Sequence, residues 1–175
     1  MTARFVVAAA AFCAAAMPVA VRAAPAGMLN KTVSLAFEVS IPAKNSTGST
    51  IAARRSTRLN WYVSSAGRVF SRRVRHAGRA AETTEVALGA VSDGAPRIEG
   101  NTIIATVGRI SGATRIVVSF DSFFQSCAAR VILGRESGKA FTWKGLNGEV
   151  YTATGPASVS TPSCSVQSGN LLAGQ

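Results

Sequence analysis

From Lys31 to Ile41 polar and apolar side chains alternate with period two, so Val33, Leu35, Phe37, Val39 and Ile41 share one face of an extended strand. A strand built this way has one dry face and one wet face, and it must pair along both edges and cover the dry face to be stable. Further alternating runs follow between turn residues: Thr57 to Ser64, Arg68 to His76, Arg97 to Glu99, Thr102 to Val107, Thr114 to Phe120, Cys127 to Leu133, Ala140 to Lys144 and Val150 to Thr154. No segment sustains a helical repeat. The pattern predicts an all-β chain folded as an antiparallel β-sandwich of about eight strands, with a closed β-barrel as the alternative.

Turn chemistry sets the expected registers. Ala66-Gly67 reads as a hairpin turn whose two- or four-residue loop would put Leu59, Trp61, Val63, Phe70 and Val74 on the core side. Arg58, Asn60, Tyr62, Ser71, Arg73 and Arg75 would then share the opposite side, while Arg72 points inward beside Trp61. Gly100-Asn101 predicts another turn, and a two-residue loop at Gly112-Ala113 would pair Val107 with Val118. Asn147-Gly148 predicts a hairpin with Phe141, Trp143, Val150 and Thr152 inward and Lys144 opposite Tyr151 outside. Pro42 to Ser49 reads as a loop, and Ala81 to Pro96 as a long connection with room for one helical turn.

The N-terminus carries a different signal. Arg4 precedes the apolar run Phe5 to Met17, which is too short to span a bilayer, and Val21-Arg22-Ala23 supplies the small residues a signal peptidase reads. The expected organisation is a signal peptide over 1–23, one β domain over 24–164 and a flexible tail over 165–175, with no transmembrane segment left after cleavage. Such a chain is periplasmic or secreted. Cleavage removes Cys13, so Cys127 and Cys164 remain in an oxidising compartment and are expected to form one disulfide.

Charge is the remaining lead. The formal charge is +11, from 19 Lys and Arg against 8 Asp and Glu. Between Glu38 and Glu82 there is no acid, while Lys44, Arg54, Arg55, Arg58, Arg68, Arg72, Arg73, Arg75 and Arg79 fall there. The candidate site is an anion-binding sheet face made by Arg58, Tyr62, Arg73 and Arg75. Its partner would be a polyanion, either envelope phosphate groups or acidic polysaccharide, with nucleic acid as a weaker fit. A purely compositional charge, carried by a solvated face, is the competing reading.

Other chemistries find little footing. Gly134 to Ala140 misses the phosphate-loop spacing and lacks the hydroxyl that such a loop offers to magnesium. His76 is the one histidine, so a histidine-rich metal site cannot be assembled, and no cofactor or catalytic residue is assigned. A small hydrolase with a loop-lined site would need His76 gathered with a serine and an acid. A purely structural envelope protein is a further alternative. An outer-membrane barrel would have Arg58, Arg73, Arg75, Arg115 and Arg130 interrupting its strands. Asp121 to Gln125 is a turn with two adjacent aromatics, of which one is expected to be exposed.

Trp143-Lys144-Gly145-Leu146-Asn147-Gly148, with Tyr151 to Pro156, Thr161-Pro162-Ser163-Cys164 and Val63 to Phe70, resembles a group of small exported bacterial proteins without assigned activity. The resemblance implies export and a shared β domain and supplies no catalytic residues.

Overall fold

The computed structural model describes residues 24–77, 80–86, 96–107, 114–134 and 141–172. The segment 1–23 expected to be a signal peptide, the turn expected at 112–113 and most of the glycine-rich stretch 134–140 lie outside the described residues. The chain is all-β and antiparallel, in two sheets. The larger sheet contains β1 (Lys31–Asn45), β2 (Thr50–Val63), β3 (Val69–Ala77), β4 (Ala80–Val86), β9 (Thr142–Lys144), β10 (Val150–Ala153), β11 (Ser158–Val159) and β12 (Ser163–Ser168). It runs β4-β3-β2-β1-β10-β9, with β11 and β12 also on β1, and it curls into a half-barrel. The smaller sheet is β5 (Arg97–Glu99), β6 (Thr102–Val107), β7 (Thr114–Phe120) and β8 (Cys127–Ile132), in sequence order.

β1 organises the whole. Its alternation is as expected, with Val33, Leu35, Phe37 and Ile41 buried, but it continues through Pro42 to Asn45 where a loop was expected. One edge pairs with β2 over its full length, and the other takes β12, β11 and β10 in turn. With β4, β11 and β12 formed where no strand was expected, the described strands number twelve rather than about eight. Val33, Leu35, Phe37, Leu59, Trp61 and Val63 from the larger sheet pack against Ile103, Ala105, Ile116, Val118, Phe120 and Val131 from the smaller, with Met28 closing one end. The Cys127–Cys164 disulfide joins β8 to β12, the edges at which the two sheets meet.

Three hairpins share one turn device. The loops Ser46-Thr47-Gly48, Ser65-Ala66-Gly67 and Leu146-Asn147-Gly148 each have three residues, and each closes with the glycine N–H donating to the residue before the loop, at 3.0, 2.9 and 3.0 Å. Their glycines hold φ of +82, +73 and +84°, the left-handed conformation that ends a three-residue loop in a bulge. An odd loop reverses the facing expected from an even one. Thus Leu59 pairs with Arg73 and Trp61 with Ser71, so Arg73 and Arg75 lie on the inner side, while Phe70, Arg72 and Val74 lie on the outer side with Tyr62, Asn60 and Arg58. In the last hairpin Trp143 pairs with Tyr151 and Lys144 with Val150. Tyr151 is therefore buried and stacks on Trp143, and Val150 is exposed, the reverse of the expected arrangement for both. Gly100-Asn101, a true two-residue loop between Glu99 and Thr102, forms as expected.

Further segments depart from the expected pattern. β4 replaces the start of the connection expected over 81–96, and Val107 pairs with Thr114 rather than with Val118. The tail expected to be flexible from 165 is β12 through Ser168, aligned along Lys31 to Ala36. Beyond it, Thr32 donates its hydroxyl to the Gly169 carbonyl at 2.6 Å and accepts the Leu171 N–H at 3.1 Å, which buries Thr32 under the chain end.

Candidate functional site

The anion-binding set expected from the sequence does not lie on one face. Arg58 and Tyr62 are on the outer side of the larger sheet, and Arg73 and Arg75 are on the inner side beside Leu59 and Thr57. Tyr62 also stands four residues along β2 from Arg58, about 13 Å away, where its hydroxyl donates to Asn30 Oδ1 at 3.1 Å and its ring lies 6.0 Å from Phe70. β4 adds a second correction. Its register sets Glu82 opposite Arg75 and Glu85 opposite Arg72, so the strand that follows the acid-free run returns acidic residues to register positions beside it. Arg72, Arg73 and Arg75 are each engaged within the chain.

What remains on the outer side is more local. Glu38, Ser56 and His76 occupy one row across β1, β2 and β3, and Ala36, Arg58 and Val74 occupy the next. Glu38, Ser56, Arg58 and His76, with Ser160 from the segment after β11, border an open groove of about 460 Å³. Ser160 ties that segment down in both directions: its N–H donates to the Glu38 carbonyl and its Oγ accepts the Glu38 N–H, each at 2.9 Å. Arg54, in the adjacent outward position of β2, lies 3.9 Å from Glu38, with the arginine largely in water and the glutamate partly so. Such a pair contributes at most about 1 kcal/mol.

Arg58 is different. Its cross-strand neighbours are Ala36 and Val74, neither of which can accept a hydrogen bond through its side chain. Arg58 is exposed and forms no ion pair among the described residues. Ser56 and Asn60 flank it along β2 on the same side, so the guanidinium stands among hydroxyl and amide groups.

The groove does gather a histidine, a serine and an acid. Their order is wrong for nucleophilic relay, which needs imidazole between hydroxyl and carboxylate. Ser56 sits in the middle, and two strand spacings, about 10 Å, separate Glu38 from His76. Among the described residues no group of three His, Cys, Asp or Glu could hold a metal ion. No described helix is long and apolar enough to cross a membrane.

Sequence reasoning placed Arg58 on the outer side and missed Glu38, Ser56 and Ser160. The period-two alternation already put Glu38 outward; only the pairing of β1 with β2 and β11 brings it to the groove. No family model matches the chain, and neither a curated protein nor a solved structure matches it.

Proposed function

We propose that this chain is an exported, non-enzymatic binding module that takes an acidic polysaccharide on the outer face of its larger sheet, with Arg58 pairing with the sugar's anionic group. The observation that carries the reading is an exposed guanidinium that forms no ion pair among the described residues, set among Ser56, Asn60, Ser160 and Glu38 beside an open groove. A guanidinium offers a planar fork of donors to carboxylate or sulfate, and the surrounding hydroxyl, amide and carboxylate groups suit sugar hydroxyls. The groove is open rather than enclosed, which favours an extended polymer lying across the sheet over a small molecule buried in a cavity. Export rests on the composition of Met1 to Ala23 and places the module where such polymers occur.

The test is retention of the mature protein on heparin and on isolated envelope polysaccharide, eluted over a salt gradient. Arg58→Gln removes one charge-assisted contact and is expected to weaken binding about tenfold and to flatten its salt dependence. Unchanged elution of the variant would exclude this face. Mass spectrometry of protein recovered from the exporting cell is expected to show a chain beginning at Ala24.

A further inference from the structure

The smaller sheet presents a second basic surface, on the other side of the fold and of different composition. Its inward positions are apolar and buried: Ile103, Ala105, Ile116, Val118 and Val131. Outward, Arg97, Ile104, Val117 and Arg130 form one row across the four strands, and Thr106, Arg115 and Ile132 form the next. Arg97 is paired with Glu99 at 2.7 Å, whereas Arg115 and Arg130 are exposed and form no ion pair among the described residues. They are diagonal neighbours, which in an antiparallel pair stand about 7 to 8 Å apart. Beside them Ile132 is 41% exposed.

At one end of this sheet the loop between β7 and β8 holds Phe123 at 72% exposure. The loop is built to keep it there. The Asp121 carboxylate accepts the N–H of Gln125 at 2.8 Å, and the N–H and hydroxyl of Ser126 at 3.2 and 2.9 Å. Phe124 adopts a left-handed φ of +54°, its ring packs 5.8 Å from Phe120 and against Gly27, and its carbonyl accepts Lys31 Nζ at 2.7 Å. Phe123 is thus an apolar group presented on a clamped tip, next to a lysine, with little ordering left to lose on contact.

The two faces differ in what surrounds their arginines. On the larger sheet Arg58 stands among serine and asparagine, which suits hydrated sugars. On the smaller sheet Arg115 and Arg130 stand among Ile104, Val117 and Ile132, and Phe123 is exposed on the loop that joins β7 to β8. Cations interleaved with apolar groups match a bilayer interface, where headgroup phosphates and the upper acyl region lie within a few ångströms of each other. We propose that the outer face of the smaller sheet, with Phe123, docks reversibly on an anionic phospholipid surface. This contact is independent of the polysaccharide reading and uses different residues.

The test is co-sedimentation of the mature protein with phosphatidylcholine vesicles and with 7:3 phosphatidylcholine:phosphatidylglycerol vesicles at low salt. Binding is expected to the anionic vesicles and to be much weaker to the neutral ones. R115Q/R130Q is expected to lower the partition coefficient roughly 30-fold, and Phe123→Ser about tenfold. K44Q/K144Q, which removes the same charge from the larger sheet, is expected to bind as the parent does, and circular dichroism confirms that each variant is folded. Phe123→Trp gives a readout that charge alone would not move: its emission is expected to shift to the blue on anionic vesicles and to be quenched by brominated lipid. Equal partitioning of R115Q/R130Q and the parent, an unmoved Phe123→Trp emission at saturating lipid, or loss in R115Q/R130Q of polysaccharide retention instead of vesicle binding would each overturn the proposal.

Discussion

Replacing both Cys127 and Cys164 with serine tests how the two sheets are held together. The bridge closes a sequence separation of 37 residues, and in the chain-entropy model a loop of that length removes about 4 kcal/mol of unfolded-state freedom. The folded state has independent reasons to keep its shape. Cys164 lies in the β12 ladder opposite Leu35, and Cys127 lies in the β8 ladder opposite Phe120, so both strands keep their backbone hydrogen bonds without the bridge. The loss should therefore fall on stability and leave structure alone. With a urea m-value of about 2 kcal/mol per molar, the midpoint is expected to fall by about 2 M, and the melting temperature by roughly 8 to 16 °C. Serine at both positions avoids a stray thiol, and urea titration followed by tryptophan fluorescence and far-ultraviolet circular dichroism reads the result. A midpoint shift below about 0.5 M would refute the loop-entropy reasoning. Loss of native fluorescence without any urea would refute the other half, by showing that the bridge holds native packing rather than constraining the unfolded chain.

Gly148→Ala isolates backbone strain, because an added methyl meets nothing within 4 Å and φ is +84°; a loss of about 1 kcal/mol is expected by thermal melting, and a neutral result would contradict the bulged three-residue loop. Leu59→Ala opens the buried centre of the inner face and is expected to cost 2 to 5 kcal/mol by urea titration. Trp61→Phe is expected to cost less than about 1 kcal/mol, since the buried Trp61 Nε1 has no hydrogen-bond partner among the described residues and removing an unsatisfied donor offsets lost apolar area; a cost as large as that of Leu59→Ala would mean that the donor is satisfied. The Gln125 N–H, with the Ser126 contacts, holds the Asp121 carboxyl below its ordinary value of 3.8. A depressed carboxyl stabilises the fold above its unfolded value and stops doing so as pH falls through the folded one, so below about pH 4 the parent should lose melting temperature more steeply than Asp121→Asn. Parallel curves for the two proteins would remove the assigned role of that carboxylate.

Strand character was legible because it is a local property. The alternation of Val33, Leu35, Phe37, Val39 and Ile41 dictates a two-faced strand whatever it pairs with, and the same holds for Leu59, Trp61 and Val63 and for the core face of β8. The disulfide followed from the count of cysteines left to pair, and the all-β architecture from short alternating runs between turn residues. Loop length was not legible. Ala66-Gly67 and Asn147-Gly148 read equally well as two-residue turns and as the end of three-residue loops, because both need a glycine at positive φ. That single ambiguity turned Arg73 and Arg75 inward and Arg72 outward, since the facing of a strand depends only on whether the loop is odd or even.

The composition of this protein determined by itself that the chain carries a large positive charge, and the alternation determined which residues share a face within each strand. Which charged residues share a register was decided by the pairing of one strand with another. β4 returns Glu82 and Glu85 to the register positions of Arg75 and Arg72, β11 and its following segment bring Ser160 to Glu38, and β7 with β8 place Arg115 diagonally to Arg130. Periodicity is written along one strand, but a surface is a product of several, and their relative register is set by turns and long-range ladders that no single segment encodes.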